Sequence, residues 1–434
     1  MKRPVLITLL VLALLFVLTG IGAVVFFAIN SGFATNNPFD KRNIPSVVEE
    51  NKTLKVDSEK PLTLKVNDTA GDVTVKGADV QTVQVKIIKT AYDSSQSRAD
   101  AEVKGVKYTI EQTGNSITLK YELLKSMNFS NNVNTVDFIV TVPNEVAIDI
   151  DTNGEVNVSN TKGNVVIAND FGKVNIENIE GALSVKNNSG EVQATGIKAD
   201  GADIDLHSDF GEINLAQASG ATITLNSNSG EITLTDVHST DTLNTRVDFG
   251  DTKYENGSAS SLNIKTNNGK VSLTKLNISK ELKVDSDFGE IELNQASAGS
   301  YDLHTNSGSI NVDGAKKKLK AYTDFGGITI ENAQSVTADL KTNSGTVEFS
   351  GSLGKGPHMI KSDFGGIDIT LPADSKLNMD LKTDFGDIRS DIPLTVALNE
   401  SSDKNHQVGV MNGGGDQLSV TTNSGSISIK SLNK

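Results

Sequence analysis

The chain reads as an all-β protein, a right-handed β-solenoid of rungs about 19–20 residues long, preceded by one apolar N-terminal helix. Three observations lead there. A glycine corner returns at intervals of 18 to 21 residues, and the residues beside it alternate apolar and polar with period two. The strands this implies also outnumber the roughly ten that an open sheet holds before it coils or closes.

The first element is MKRPVLITLLVLALLFVLTGIGAVVFFAIN. A stub at residues 1–4, carrying Lys2 and Arg3, precedes an uncharged run at residues 5–29. At about 1.5 Å per residue the run exceeds the roughly 30 Å hydrocarbon core, so it is expected to stay in a membrane as a single-pass signal anchor. A cleavable signal has a shorter apolar region of about 7–15 residues; Gly32 and Ala34 supply the small residues that alternative needs. Basic residues before the span and an acidic chain after it put the N-terminus in the cytoplasm and the bulk of the chain outside. Residues 30–53 read as a polar linker.

Composition narrows the classes. The absence of cysteine excludes disulfides, thiolate metal sites and a cysteine-borne lipid. A formal net charge of -14 argues against nucleic acid or anionic headgroups as partners. Aromatic residues make up 5% with no tryptophan, so stacking platforms are scarce.

The regular repeats occupy residues 151–390, with corners from Gly154 to Gly386 and one more at Gly425. Two residues after the glycine stand Val174, Val192, Ile213 and Ile232, and five before it Ile167, Val185, Leu206 and Leu225, with polar residues between. Each unit thus holds two short strands, one face buried and one wet. Two closures fit: a solenoid with one unit per rung, or a β-propeller whose 39-residue pair of units makes a blade. Both halves of the pair carry the same apolar columns, which favours the solenoid.

The corners come in two spellings, Asp209-Phe210-Gly211 and Asp287-Phe288-Gly289 against Asn228-Ser229-Gly230 and Asn306-Ser307-Gly308. Glycine is expected to supply a positive φ, and the Asp or Asn two before it to hydrogen-bond onto the turn. Phe171, Phe210, Phe249, Phe288, Phe325, Phe364 and Phe385 alternate with Ser or Asn, as inward rings packed large against small would require. Phe364 and Phe385 fall in successive units and should stack directly. Turned outward, the same rings would instead form an interaction stripe.

Residues 54–150 are looser rungs, with corners at Gly71 and Gly114 and a short helix started by Ser94, Ser95 or Ser97. Residues 391–434 read as a polar loop and a C-terminal rung or cap.

AGDVTVKG, VDFIVTVPNEVAIDIDTNGEVNV and the NSGEITL and TNSGTVEF units resemble the LiaG-type putative adhesin family of bacterial envelope proteins over most of the chain after the anchor. The resemblance implies a surface β-solenoid without catalytic residues. The Asp-Phe-Gly corners depart from that family's usual Ser-Gly corners.

No chemistry stands out. The kinase reading of Asp-Phe-Gly fails because the triplet recurs seven times with no His-Arg-Asp loop. A calcium ladder of Asp170, Asp209, Asp248, Asp287, Asp324, Asp363 and Asp384 would space its carboxylates about 10 Å apart, too far to share an ion. His207 and His304 share a column without forming a motif, and Lys186, Arg246, Lys265, Lys341, Lys361 and Lys382 read as a solvated face. The expectation is a non-catalytic adhesin or envelope scaffold on the cytoplasmic membrane, without cofactor or metal. Its partners would be the membrane, through the anchor, together with envelope polymers, surface proteins or its own kind. A polysaccharide-active solenoid enzyme and an accessory of envelope-stress signalling are the alternatives.

Overall fold

The computed structural model describes residues 44–123, 133–396 and 405–432. The expected anchor at residues 5–29 lies outside them. Among the described residues no helix is long and apolar enough to cross a membrane. Residues 44–53, expected within the linker, belong to a strand, β1 (Ile44–Lys55).

The chain divides into two units, the smaller comprising residues 1–47, 90–106 and 125–134. It contains α1 (Gln96–Gly105), which starts after Ser95 as the serine cluster suggests, although the Ser95 side chain makes no cap bond. Asp100 accepts from Ser46 Oγ at 2.7 Å and from Gln96 Nε2 at 2.8 Å.

The larger unit is the solenoid. Its first strands are β2 (Leu62–Asp68), β3 (Val73–Ala78), β4 (Thr82–Asp93), β5 (Thr109–Thr113), β6 (Ser116–Tyr121), β7 (Thr135–Pro143), β8 (Val146–Thr152) and β9 (Val156–Lys162). From β8 onward the strand before each glycine pairs in parallel with its counterpart one rung on, as in Ile167↔Val185↔Leu206↔Leu225. The strand after each glycine does the same, as in Val174↔Val192↔Ile213↔Ile232. About eleven turns follow in chain order, ending at the strands His358–Phe364 and Ile367–Pro372. Parallel pairing of whole rungs rules out the propeller, whose blades are separate four-stranded sheets.

Both ends depart from chain order. β2 lies between β6 and β8, and β3 between β7 and β9, so the first rung in sequence is second in the stack. At the other end the strand Asp416–Ser424 lies between His358–Phe364 and Leu377–Phe385. The segment expected as a loop and cap therefore returns an inserted rung. Antiparallel strands cover the edges so formed, β5 on β6 and His406–Met411 on Leu377–Phe385. Gly114, taken above for a rung corner, is instead in the β5–β6 hairpin turn, with φ 60°.

The interior consists of stacked columns. The apolar positions on both sides of the corner are buried almost completely, and Thr252, the exception in its column, is buried too. Three residues before the glycine runs a buried column of small polar side chains. Thr305, Thr323 and Thr342 donate their hydroxyls to the glycine carbonyl one rung back, at 3.1, 2.9 and 2.9 Å. A column that sequence reading missed lies six residues after the glycine: Asn160, Asn178, Gln217, Asp236 and Asn256 all take left-handed backbone with φ from 51° to 58°. Recurrent Asn, Asp and Gly at that spacing were its signal, since these residues tolerate the left-handed region.

Close approach, more than φ, demands the corner glycines. At Gly308, whose φ lies outside the left-handed region, a Cβ would stand 2.0 Å from the carbonyl oxygen of Gly289; at Gly230 (φ +156°) it would stand 2.1 Å from that of Gly211. A positive φ alone would also admit asparagine; the missing space does not. Gly308→Ala is expected to cost on the order of 1–3 kcal/mol as overpacking. Gly105→Ala, which would meet nothing within 4 Å, should leave the urea midpoint nearly unchanged. Equal midpoints for the two variants would refute the close-approach account.

Candidate interaction surface

The two corner spellings interlock through their first residues. Asn228 Nδ2 donates to Asp209 Oδ1 at 2.7 Å, Asn306 to Asp287 at 3.0 Å and Asn267 to Asp248 at 3.2 Å. Asn188 and Asn343 bind Asp170 and Asp324 in the same way. These side chains therefore bond from rung to rung, where sequence reading had them bonding onto their own turn. An aspartate on every rung would stack like charges about 4.8 Å apart, and an intervening amide supplies a donor in place of that repulsion. Basic side chains from the neighbouring column add to this: Arg246 stands 3.2 Å from Asp248 and Lys361 2.9 Å from Asp363, while His207 stands 3.1 Å from Asp209. Among the described residues no group of three or more His, Asp or Glu is placed to hold a metal ion.

The phenylalanines point outward, contrary to the inward packing expected above. Phe171, Phe210, Phe249, Phe288, Phe325, Phe364 and Phe385 are between 59% and 78% exposed. Strict alternation from Ile167 and Asn169 would put Phe171 inside, but the pairing skips Asp170 as the chain turns, and the ring emerges. Rung to rung, rings alternate with small residues: Phe171↔Ser189↔Phe210↔Ser229↔Phe249↔Asn268↔Phe288↔Ser307. Nor do Phe364 and Phe385 stack directly, because the inserted rung places Ser424 between them. The result is one uninterrupted ladder of rings, two rungs or about 10 Å apart.

A stacked parallel solenoid with these glycine corners agrees with what known sequences give. The pattern of the Toastrack DUF4097 family matches residues 62–312 and 253–430. The chain belongs to the Toastrack family. No curated protein matches it. Among solved structures, a putative adhesin from Bacteroides fragilis is 12% identical, covering 66% of this chain and 96% of its own, with TM-score 0.29. A putative cell adhesion protein from Clostridium sporogenes is 12% identical, covering 89% and 100%, with TM-score 0.18. A putative lipid binding protein from Parabacteroides distasonis is 14% identical, covering 71% and 97%, with TM-score 0.23.

Elsewhere on this Toastrack stack, a groove of about 370 Å³ is lined by Lys283, Asp285, Asp302, His304, Lys320, Tyr322, Asp339 and Lys341. His304 stacks on Tyr322 with ring centroids 5.2 Å apart, and its Nδ1 stands 2.9 Å from Asp285. Asp302 lies between Lys320 and Lys283, at 3.3 and 4.0 Å, and Lys341 stands 3.1 Å from Asp339. The shared column of His207 and His304 brings the two no closer, and each has its own aspartate.

Asp68 takes the place in its rung that hydroxyl side chains hold in most of the others. It is 2% exposed; Oδ1 accepts from the Ala70 amide at 3.0 Å and Oδ2 has no partner. Burial first, then the nearby Asp137 and Asp72, push its pKa up to about 7 against the opposing Ala70 bond. Because this lies above the unfolded value of about 3.9, folding favours the protonated form. Its contribution is whole below about pH 4 and is lost as pH rises to about 7.

Two measurements check these assignments. Asn228→Asp, which puts carboxylates on three successive rungs, should cost about 1 kcal/mol at pH 7 and low salt. The deficit should shrink at pH 4 or in high salt, and a deficit blind to both would sink the ladder account. For Asp68, the urea midpoint of the native protein should fall between pH 5 and pH 8 relative to that of Asp68→Asn. Parallel pH profiles would show that the carboxyl does not titrate in that window.

Proposed function

We propose that this Toastrack protein is an extracytoplasmic interaction module, an adhesin or envelope scaffold held to the cytoplasmic membrane by the apolar segment at residues 5–29, and that it works without catalysis. The phenylalanine ladder carries the reading. Monomeric soluble proteins rarely expose contiguous apolar patches beyond a few hundred Å². Seven rings in one line, each more exposed than buried, are a liability unless something covers them. The groove supports the non-catalytic side of the proposal, because its carboxylates stand in ion pairs or against His304. A glycoside hydrolase needs two carboxyl groups free to act as acid and base or nucleophile.

The test uses Phe210→Ser, Phe249→Ser and Phe288→Ser together in the full-length chain. The thermal transition should stay within a few degrees of that of the native protein, because the rings lie outside the core. Retention of the chain, in mild detergent, on envelope fragments stripped of membrane should fall at least tenfold. Unchanged retention with an intact fold would overturn the proposal.

A further inference from the structure

We propose that the partner along the ladder is a second copy of this chain, docked through a two-fold axis perpendicular to the stack with the rings of each copy seated in the gaps of the other. This rests on reading the ladder as a contact surface and names its occupant. The first argument is commensurability. Rings occur on every second rung, with Ser or Asn on the rung between, so the gaps are one residue wide and repeat every 10 Å or so. A partner that fills every gap must have the same repeat over the same length. A copy of this chain has it by construction, and turning one copy over with an offset of one rung brings each ring opposite a small residue.

The end of the stack points the same way. In chain order Phe364 and Phe385 are consecutive, and two adjacent rings would leave no gap for a tooth. The inserted rung restores the gap with Ser424, so the pattern stays in phase to the last ring. Area is sufficient. Rings of this size, about two-thirds exposed, offer on the order of 800 Å² per copy, which is what a standard interface buries on each side. Charge does not forbid it, despite the overall excess of acid. The ladder carboxylates beside the rings, Asp384 excepted, already hold an asparagine amide from the next rung, and several, Asp384 among them, have a basic side chain close by. A two-fold contact closes on itself, so the product is a dimer and not a fibre.

The chain has no cysteine, so single cysteines report geometry cleanly. Asn268 lies near the middle of the ladder and Ser189 near one end. With full-length protein in native membranes, Asn268→Cys should cross-link to its copy through a short bifunctional thiol reagent, and Ser189→Cys should not. Sedimentation of the full-length protein in mild detergent should show a dimer whose dissociation constant rises at least tenfold in Phe249→Ser/Phe288→Ser, with the thermal transition intact. A cross-link at Ser189→Cys overturns the two-fold arrangement. A monomer at every concentration, or a dimer indifferent to the rings, overturns the second copy as partner. If envelope retention still requires the rings in a monomeric protein, the contact surface survives and only the copy falls; if the rings affect neither measurement, both fall.

Discussion

The structure depends on how closely the backbone of one rung approaches the next at the glycine corner. A Cβ at Gly211, Gly308, Gly326 or Gly345 would lie 2.0 Å from the carbonyl oxygen of the preceding corner, so no other residue fits without moving the chain. That contact fixes the register of each rung on its neighbour, and register in a β structure fixes which face every side chain takes. From the corner outward, each sequence position becomes a column running through the stack.

A column forces each side chain to live with its own kind about 4.8 Å above and below. Apolar residues satisfy this by packing, which is why Ile, Val and Leu repeat with little variation at the buried positions. Polar residues need a directional solution. Most of the buried hydroxyls three before the glycine find one in the glycine carbonyls, though Thr266 and Ser286 do not, and the corner aspartates find one by alternating with asparagine. Phenylalanine and serine alternate in step with them, one residue further along. The two corner spellings thus take turns for an electrostatic reason at the Asp/Asn position.

Much of this was legible in the sequence. Glycine spacing and period-two alternation gave the rungs, the two main apolar columns and the solenoid, because a contact repeated at every corner leaves a repeated residue. The direction of the rings was not legible, since alternation counted from Ile167 passes straight through a bend where the pairing drops Asp170. The left-handed column at Asn160 and Asn178 was written plainly enough, but asparagine is so common on this surface that its spacing went unread. Rung order at the two ends was hidden for a different reason. Sequence gives the order in which rungs are made, and insertion of β2 and β3 beneath β6 and β7 leaves local composition unchanged. Only the phase of the phenylalanines carried a trace of it, as two successive rings where the rest of the ladder has one in two.

The insertions also decide how such a stack can meet others. A solenoid that stopped at its last rung would present a row of free amide and carbonyl groups, a template for end-to-end growth. Here the last rung in sequence lies between two others, and one strand of each end rung is covered by an antiparallel strand, β6 by β5 and Leu377–Phe385 by His406–Met411. An antiparallel cover breaks the parallel pattern that another rung would need to continue. Among the described residues the phenylalanine corner is an apolar surface that recurs every second rung, and its repeat is set by the same glycine approach that sets the rungs.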